Sequence, residues 1–337
     1  MRATFEQFFR RVWAEEAGAA GRWVATAGKP LSWALGVAVA ERNRRYDESG
    51  GERVDGLKVV SVGNLAVGGT GKTPIAAWVV SVVKARGRVP ALVARGYGQD
   101  EILLHEHWHP GVAVVVNPDR VAGAREARRA GADVVVLDDG FQHRRLHRDL
   151  DVVLLAAEDA FPGELLPSGP YREPPTALRR ADVVIVTRRT ASPETAEALA
   201  AAAHALAPAA AIGVVHFGIR DWCLLDGTPV DAPVGPVLAV AGVGRPETFG
   251  DTVAAETRAA VELLAFADHH RYRPADLQRI GEIAAGRIVA VTEKDAVKLR
   301  AFAKSFGDVR VLRQEVRWDS GRERVEDMVA TARRVPG

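Results

Sequence analysis

Cysteine is nearly missing from this chain. The lone Cys223 has no partner for an internal disulfide and excludes a cysteine-based zinc site. Such usage fits a reducing, cytosolic compartment. A charge excess of either sign is missing too. Lys and Arg number 45 against 43 Asp and Glu, so the formal charge of +2 offers no field that would draw nucleic acid. No run reaches the ~20 apolar residues that a spanning helix needs. The longest candidate, Pro30 to Ala40, is about half of that. A secretory signal is absent as well, because Arg2, Glu6, Arg10, Arg11, Glu15 and Glu16 break up the place of its apolar core. Internal repeats and low-complexity tracts do not occur beyond an alanine bias.

The chain has the length and composition of a folded protein. At roughly 150 residues per domain, 337 residues suggest two domains. With 47% hydrophobic and 26% charged residues, 32 Gly and 18 Pro, the composition is globular and excludes a disordered chain, a collagen and a coiled coil. Residues 1–45 differ from the rest. Phe5, Phe8, Phe9, Val12 and Trp13 follow the i, i+3, i+4, i+7, i+8 spacing of one helix stripe. Trp13, Trp23 and Trp33 crowd this segment, and Arg42, Arg44 and Arg45 close it. Two readings fit: an amphipathic helix lying in a membrane interface, or a helix packed on its own domain.

From residue 57 onward, short β-branched runs alternate with helical stretches. Strands are expected at 57–62, 89–94, 112–116, 132–137, 150–155 and 181–186, with helices at 72–86 and from Asp119 to about 130. This pattern predicts a parallel sheet covered on both faces, an α/β fold. The Ala-rich stretch 196–211 reads as helix and linker. Segments 212–217 and 224–225 read as a two-stranded connector, with Asp226-Gly227 as a turn. Runs at 237–242, 260–264, 287–291 and 309–312 then predict strands of a smaller α/β unit. The boundary falls near 205–215, giving spans 1–45, 46–211 and 212–337.

The sharpest motif is Gly63-Asn-Leu-Ala-Val-Gly-Gly-Thr-Gly-Lys-Thr73, placed after a strand and at the start of a helix. Gly68, Gly69 and Gly71 allow consecutive amides to face a phosphate at a helix N-terminus. The cradle runs Ala66, Val67, Gly68, Gly69, Thr70, Gly71, Lys72, Thr73, with Ala66 where the strict pattern has its first Gly. Lys72 would reach the β- and γ-phosphates of ATP, and Thr73 would supply a hydroxyl to Mg²⁺. Downstream, the apolar run Val134-Val-Val-Leu ends in Asp138 and Asp139, two adjacent acids whose repulsion a cation relieves. A GTPase would carry an Asn-Lys-x-Asp guanine reader, whereas Thr292-Glu-Lys-Asp295 has the wrong order. A deviant loading ATPase would carry an extra lysine where Val67 stands. Phosphoryl transfer to a small or lipid acceptor gains from both absences. A soluble small-metabolite kinase and a non-enzymatic loading ATPase remain as alternatives.

Several strings together resemble one family. They are Asn64 to Pro74, Arg95-Gly-Tyr-Gly98, Asp138-Asp-Gly-Phe-Gln-His143, Leu166 to Pro174, Phe266-Ala-Asp-His-His270 and Thr292 to Lys298. In this order they are similar to the tetraacyldisaccharide 4′-kinases, the lipid A 4′-kinases of Gram-negative bacteria. The resemblance covers residues 30 to 330. It implies a P-loop NTPase-like α/β/α sandwich with a second, smaller α/β/α domain on a two-stranded linker. It also implies ATP-dependent phosphorylation of the 4′-hydroxyl of a tetraacylated glucosamine disaccharide 1-phosphate, giving lipid IVA. The enzyme would be peripheral, at the cytoplasmic face of the inner membrane, with the N-terminal helix touching lipid and no protein partner evident.

Site residues follow from the same resemblance. Asp100 would accept the hydroxyl proton, assisted by His269 from the second domain, whose closure would complete the site. Glu101 is the neighbouring alternative, since Gln99 alone separates Gly98 from the acids and Ile102 follows where the family commonly has Pro. Arg120 and Arg172 would neutralise phosphate charge. Gln142, His143 and Glu173 would face nucleotide or sugar. Glu293, Lys294 and Asp295 would have structural or nucleotide-closing roles.

Overall fold

The computed structural model describes Trp13, residues 18–96, 98–305 and 307–332. The chain divides into two compact units. The larger runs over Met1–Arg95, Gly111–His216 and Arg317–Gly337, the smaller over Gly96–Pro110 and Phe217–Val316. Residues 96–110 therefore group with the smaller unit, although they lie inside the span 46–211, and 317–332 group with the larger.

In the larger unit β1 (Lys58–Asn64), β2 (Pro90–Ala94), β3 (Ala113–Val116), β4 (Val134–Asp138), β5 (Leu150–Ala156), β6 (Val183–Arg188) and the start of β7 (Ala211–Leu224) form the sheet. Their order is β7-β6-β5-β1-β4-β2-β3 and neighbours pair in parallel. The α/β expectation holds because these strands are apolar over most of their length; every residue of β4 and β5 is buried. β1 sits between β4 and β5, so the turn after it opens at the centre of the sheet's carboxyl edge, where α/β folds bind ligands. Helices α2 (Lys72–Ala85), α4 (Arg120–Arg129) and α5 (Pro193–Leu206) connect the strands, while α9 (Arg322–Thr331) packs on α2.

A long helix, α1 (Gly18–Ser49), precedes the sheet and continues through Pro30. One face is narrow and built of small or polar side chains. Ser32 Oγ donates to the Leu165 carbonyl (3.0 Å), Asn43 Nδ2 to Glu173 (2.7 Å), and a Cβ at Gly28 would lie 2.9 Å from Ser168 Oγ. At 3.6 residues per turn, Trp23, Leu31, Trp33 and Val37 fall within roughly 160° on the other side. All four are exposed, Trp23 at 76% and Trp33 at 73%. The helix thus packs on its own unit along one side and leaves an apolar side uncovered. The stripe Phe5 to Val12 lies outside the described residues; Trp13, its last member, donates to the Pro167 carbonyl (3.0 Å).

In the smaller unit, β9 (Val237–Ala241), β10 (Val261–Ala265), β11 (Ile288–Thr292) and β12 (Val309–Ser320) stand in the order β10-β9-β11-β12, followed by β7. Its helices are α3 (Gln99–Trp108), α6 (Pro246–Thr257), α7 (Pro274–Ala284) and α8 (Glu293–Leu299). The connector departs from expectation. Its two predicted strands are one continuous β7, and only the Asp226-Gly227 turn leads into a short antiparallel partner, β8 (Pro229–Val230). β12 runs eight residues beyond the predicted 309–312. Charge pairs carry this extension: Arg313 bonds Asp221, and Asp319 bonds Arg188 and His216.

Arg148 and Asp151 form a two-pronged pair (both contacts 3.1 Å) with side chains 6% and 1% exposed. Asp151→Ala would strand a buried guanidinium. Unfolding of the larger unit is then expected to cost about 3 kcal/mol less, read from its urea midpoint.

Candidate functional site

The phosphate-loop motif forms a turn between β1 and α2. Gly71 is left-handed (φ 86°) and Gly68 has φ 144°, conformations that side chains rarely adopt. Amides at the start of α2 have no partner within the helix and stay available to an anion. The turn's polar groups are tied down from behind. Asn64 Nδ2 donates to Thr70 Oγ1 (3.0 Å), Thr187 Oγ1 to the Thr70 carbonyl (3.0 Å), and Arg189 to the Gly69 carbonyl (2.9 Å). On the outer side, Val67 N donates to Pro170 O (2.8 Å) and Arg172 N to Leu65 O (2.7 Å). This ladder explains Ala66: it pairs with Tyr171 in a bridge and lacks the positive φ that would require glycine.

Charged groups converge on the same turn. Lys72 Nζ donates to the Gly68 carbonyl (3.5 Å) and lies 3.6 Å from Asp139. Arg172 Nη1 contacts both Asp139 oxygens (3.1 and 3.2 Å). Burial pushes the Asp139 carboxyl upward, but Lys72 and Arg172 outweigh it and hold the group below the usual carboxylate range. Asp138 ends β4 and is buried. The buried Arg120 donates to the carbonyls of Asn117 (2.8 Å) and Asp138 (3.4 Å). Thr73, Asp138 and Asp139 offer only oxygen donors, which suits Mg²⁺. Among the described residues no three His, Cys, Asp or Glu side chains could enclose a metal by themselves.

The other predicted residues of this unit occupy distinct places. Gln142 donates to the Asn64 carbonyl (2.8 Å), beneath the turn. His143 is pushed down to about 4, first by burial and then by Arg120, so it is neutral at physiological pH. Glu173 is wholly buried and accepts from Asn43 and Arg180 (2.9 Å), with Arg42 at 3.8 Å. It ties α1 to the loop that pairs with the phosphate turn.

A second centre lies in the smaller unit. Asp100, in the first turn of α3, is 3% exposed. His269 Nδ1 donates to its Oδ1 (2.9 Å), while Lys294 (3.7 Å) and Lys298 (3.6 Å) flank Oδ2. Burial works against the Asp100 charge, yet the hydrogen bond from His269 and the two ammonium groups dominate and keep it ionised well below the carboxylate range. His269 is raised above 6.5, chiefly by that hydrogen bond. It has a positive φ of 58°, and its amide donates to Asp268 Oδ1 (3.0 Å). Glu101 stands beside Asp100, on the same turn. Glu293 accepts from Trp108 (2.9 Å) and Gln314 N, and burial raises its carboxyl. Asp295, fully buried, accepts from Gly242 N and Tyr272 OH (3.0 Å each).

Sequence reasoning quoted Asn64 only as a member of the motif, without a role, and gave no part to Thr187 or Arg189, whose types and spacing carry no signal before folding. It also assigned none to Gly98 or Lys298. Lys298 was traceable, since Lys294 and Lys298 are four apart and share a helix face.

The chain is similar to known proteins over most of its length. The sequence model of the tetraacyldisaccharide-1-P 4′-kinase family matches residues 24–106 and 98–333. A protein named tetraacyldisaccharide 4′-kinase from Anaeromyxobacter dehalogenans (strain 2CP-1) is 40% identical over 338 residues, covering 89% of this chain and 88% of its own. One of the same name from Aeromonas hydrophila is 33% identical over 319 residues, covering 87% of each. The crystal structure of LpxK from Aquifex aeolicus in complex with ATP superposes with a TM-score of 0.72 at 25% identity, over 92% of this chain and 99% of the other.

A Cβ at Gly98 would lie 2.7 Å from Asp100 Oδ1 and 2.8 Å from His269 Nδ1. Gly98→Ala should therefore part the two groups. The His269 midpoint, followed by NMR of its imidazole, is expected to fall back toward 6.5.

Proposed function

The chain belongs to the tetraacyldisaccharide-1-phosphate 4′-kinase family, and we propose that it transfers the γ-phosphoryl group of ATP to the 4′-hydroxyl of a tetraacylated glucosamine disaccharide 1-phosphate, giving lipid IVA. The observation that carries this reading is the phosphate turn with its converging cations, Lys72 and Arg172 on either side of Asp139. The turn's amides and Lys72 bind the β- and γ-phosphates. Thr73 with Asp138 or Asp139 would hold Mg²⁺, which when bound neutralises charge on the phosphate oxygens. Arg172, bonded to both oxygens of Asp139, adds a second positive charge beside Lys72 that would help to neutralise phosphate. Arg120, held by two carbonyls, supports the acid pair from below. Gln142 and His143 follow the acids and would face nucleotide or sugar; Glu173 keeps their surrounding loop in place.

A sugar hydroxyl is a weak nucleophile and needs a proton acceptor, a role we assign to the Asp100–His269 pair. Phosphoryl transfer then rests on positioning and charge stabilisation, with little covalent chemistry for the protein to perform.

The acceptor is a lipid, so the enzyme must meet a membrane surface. No helix among the described residues is long and apolar enough to cross one. The uncovered Trp23, Leu31, Trp33 and Val37 side of α1 suits shallow burial among lipid headgroups at the inner membrane's cytoplasmic face.

Two measurements test this reading. Lys72→Ala is expected to reduce lipid phosphorylation at least a hundredfold, measured by chromatography of the lipid after incubation with labelled ATP and a tetraacyl disaccharide 1-phosphate. Wild-type turnover would remove the loop from the reaction. Replacing Trp23 and Trp33 together by Ser is expected to lower the fraction that sediments with anionic vesicles; unaltered sedimentation would discard α1 as the lipid contact.

A further inference from the structure

The larger unit holds a polar cavity that the phosphate turn does not use. Its volume is about 290 Å³, and Arg144, Arg148, Arg179 and Arg180 line it. Asp47, Asp151 and Asp182 supply the opposing charge, so four guanidinium groups face three carboxylates. The strands fix its position. Arg148 comes just before β5, Arg180 and Asp182 just before β6, and Ala209 just before β7. The cavity therefore lies at the amino edge of the sheet, whereas the phosphate turn follows the carboxyl end of β1. β5 is seven residues long and parallel to β1, so roughly 20 Å of strand separates the two edges.

The arginines are held in place by groups behind them. Arg144 donates to the Asn43 carbonyl (2.8 Å) and to Asp47 (2.5 Å), and its guanidinium lies 5.8 Å from the centre of the Tyr46 ring. Arg180 donates to Glu173 (2.9 Å) and lies over the Phe141 ring at 4.6 Å. Arg148 is bonded to Asp151. Donors are left over. Arg144 Nε and Arg180 Nε are buried without an acceptor among the described residues. The exposed Arg179 has no hydrogen bond or ion pair of its own among them. Asp47 is 60% exposed and Arg144 9%, so water weakens the charge that opposes this guanidinium. Burial loosens the Arg180 proton, and the like charge of Arg144 adds to that against the pull of Glu173. A buried donor without a partner destabilises a fold, and an anion that accepts from two of them removes that cost.

We propose that this cavity is a second anion site, which binds the phosphate group of a small monoester among Arg144, Arg179 and Arg180. Guanidinium forks match the paired oxygens of a phosphoryl group, and no other side chain binds phosphate with the same fixed geometry. The volume is close to the roughly 300 Å³ at which small-molecule sites begin, which is room for a phosphate with a short organic group. The site stands apart from the kinase reading, since it needs neither ATP nor the disaccharide. A free phosphate ester and the headgroup of phosphatidic acid carry the same chemistry.

The test follows the arginine Nε–H signals of the full chain by ¹H–¹⁵N NMR while inorganic phosphate or glycerol 3-phosphate is added. Those of Arg144 and Arg180 should shift and saturate, with the same midpoint in Lys72→Ala, whose phosphate turn is impaired. Arg144→Lys keeps a charge for Asp47 but loses the fork, so the Arg180 response should need about tenfold more phosphate. Arg179→Gln breaks no existing pair and should weaken binding about fivefold. Arg279→Gln, exposed on α7, should leave it unchanged. Sedimentation with phosphatidylcholine vesicles, with and without phosphatidic acid, separates the two sources. A preference for phosphatidic acid that Arg144→Lys removes assigns the phosphate to a headgroup; an equal preference in both proteins assigns it to a free ester. Arginine signals that stay put at millimolar phosphate would overturn the inference. So would an equal response to chloride at matched ionic strength, a response lost in Lys72→Ala, or binding unweakened in both Arg144→Lys and Arg179→Gln. Turnover of the disaccharide does not enter these readouts, so failure here leaves the kinase reading standing.

Discussion

A helix begins with amides that its own hydrogen bonds cannot use, and at the start of α2 a left-handed Gly71 turns such amides toward one point. The larger unit holds that turn in place from two sides. Asn64, Thr187 and Arg189 bond the Thr70 hydroxyl and the Thr70 and Gly69 carbonyls, while the Thr70 amide donates to the Gly68 carbonyl (3.1 Å) within the turn. The chain at 170–172 adds a short ladder on the far side. β1 itself lies between β4 and β5, which brings Asp138 and Asp139 to the same edge of the sheet as Lys72. The phosphate grip, the metal-suited oxygens and the cation pair are consequences of one strand being central.

The smaller unit meets a different electrostatic demand. Its acid is taken almost wholly out of water, which is tolerable only where opposite charge is close. An imidazole and two ammonium groups supply it, and a second buried acid, Asp295, keeps one of them in register. The positive φ of His269 is held by Asp268 on its amide and Asp100 on its ring, so backbone and side chain are fixed together. Gly98 gives the room this requires, since any side chain there would occupy the place of the contact.

Much of this was legible in the residues. Val-rich runs ending in acid or glycine become the buried parallel strands, because apolar sequence on both faces leaves no other way to bury them. The glycine-lysine-threonine turn is readable because few other structures need those residues in that order. Elements held by charge were not. α3 was overlooked because its ten residues lack an apolar face and bury Asp100 and His105 beside Leu104. The far half of β12 is polar and is held by pairs with Asp221, Arg188 and His216, residues about a hundred positions away. Glu173 resembles a loop acid until Asn43 and Arg180 close around it. The Asp100–His269 contact spans 169 positions, and the motifs of a family pointed to it where spacing alone could not.

The two-sided character of α1 joins the site to its surroundings. Gly28, Ser32 and Asn43 serve the loop that braces the phosphate turn, while the tryptophans face outward, so one helix links the lipid-suited surface to the braced loop. The central claim, that amides of the 68–73 turn grip a triphosphate, is tested most directly by amide hydrogen exchange with and without a non-hydrolysable Mg·ATP analogue. The account predicts slowed exchange at Gly68 through Thr73. Unchanged exchange there, with protection appearing in another part of the chain, would contradict it.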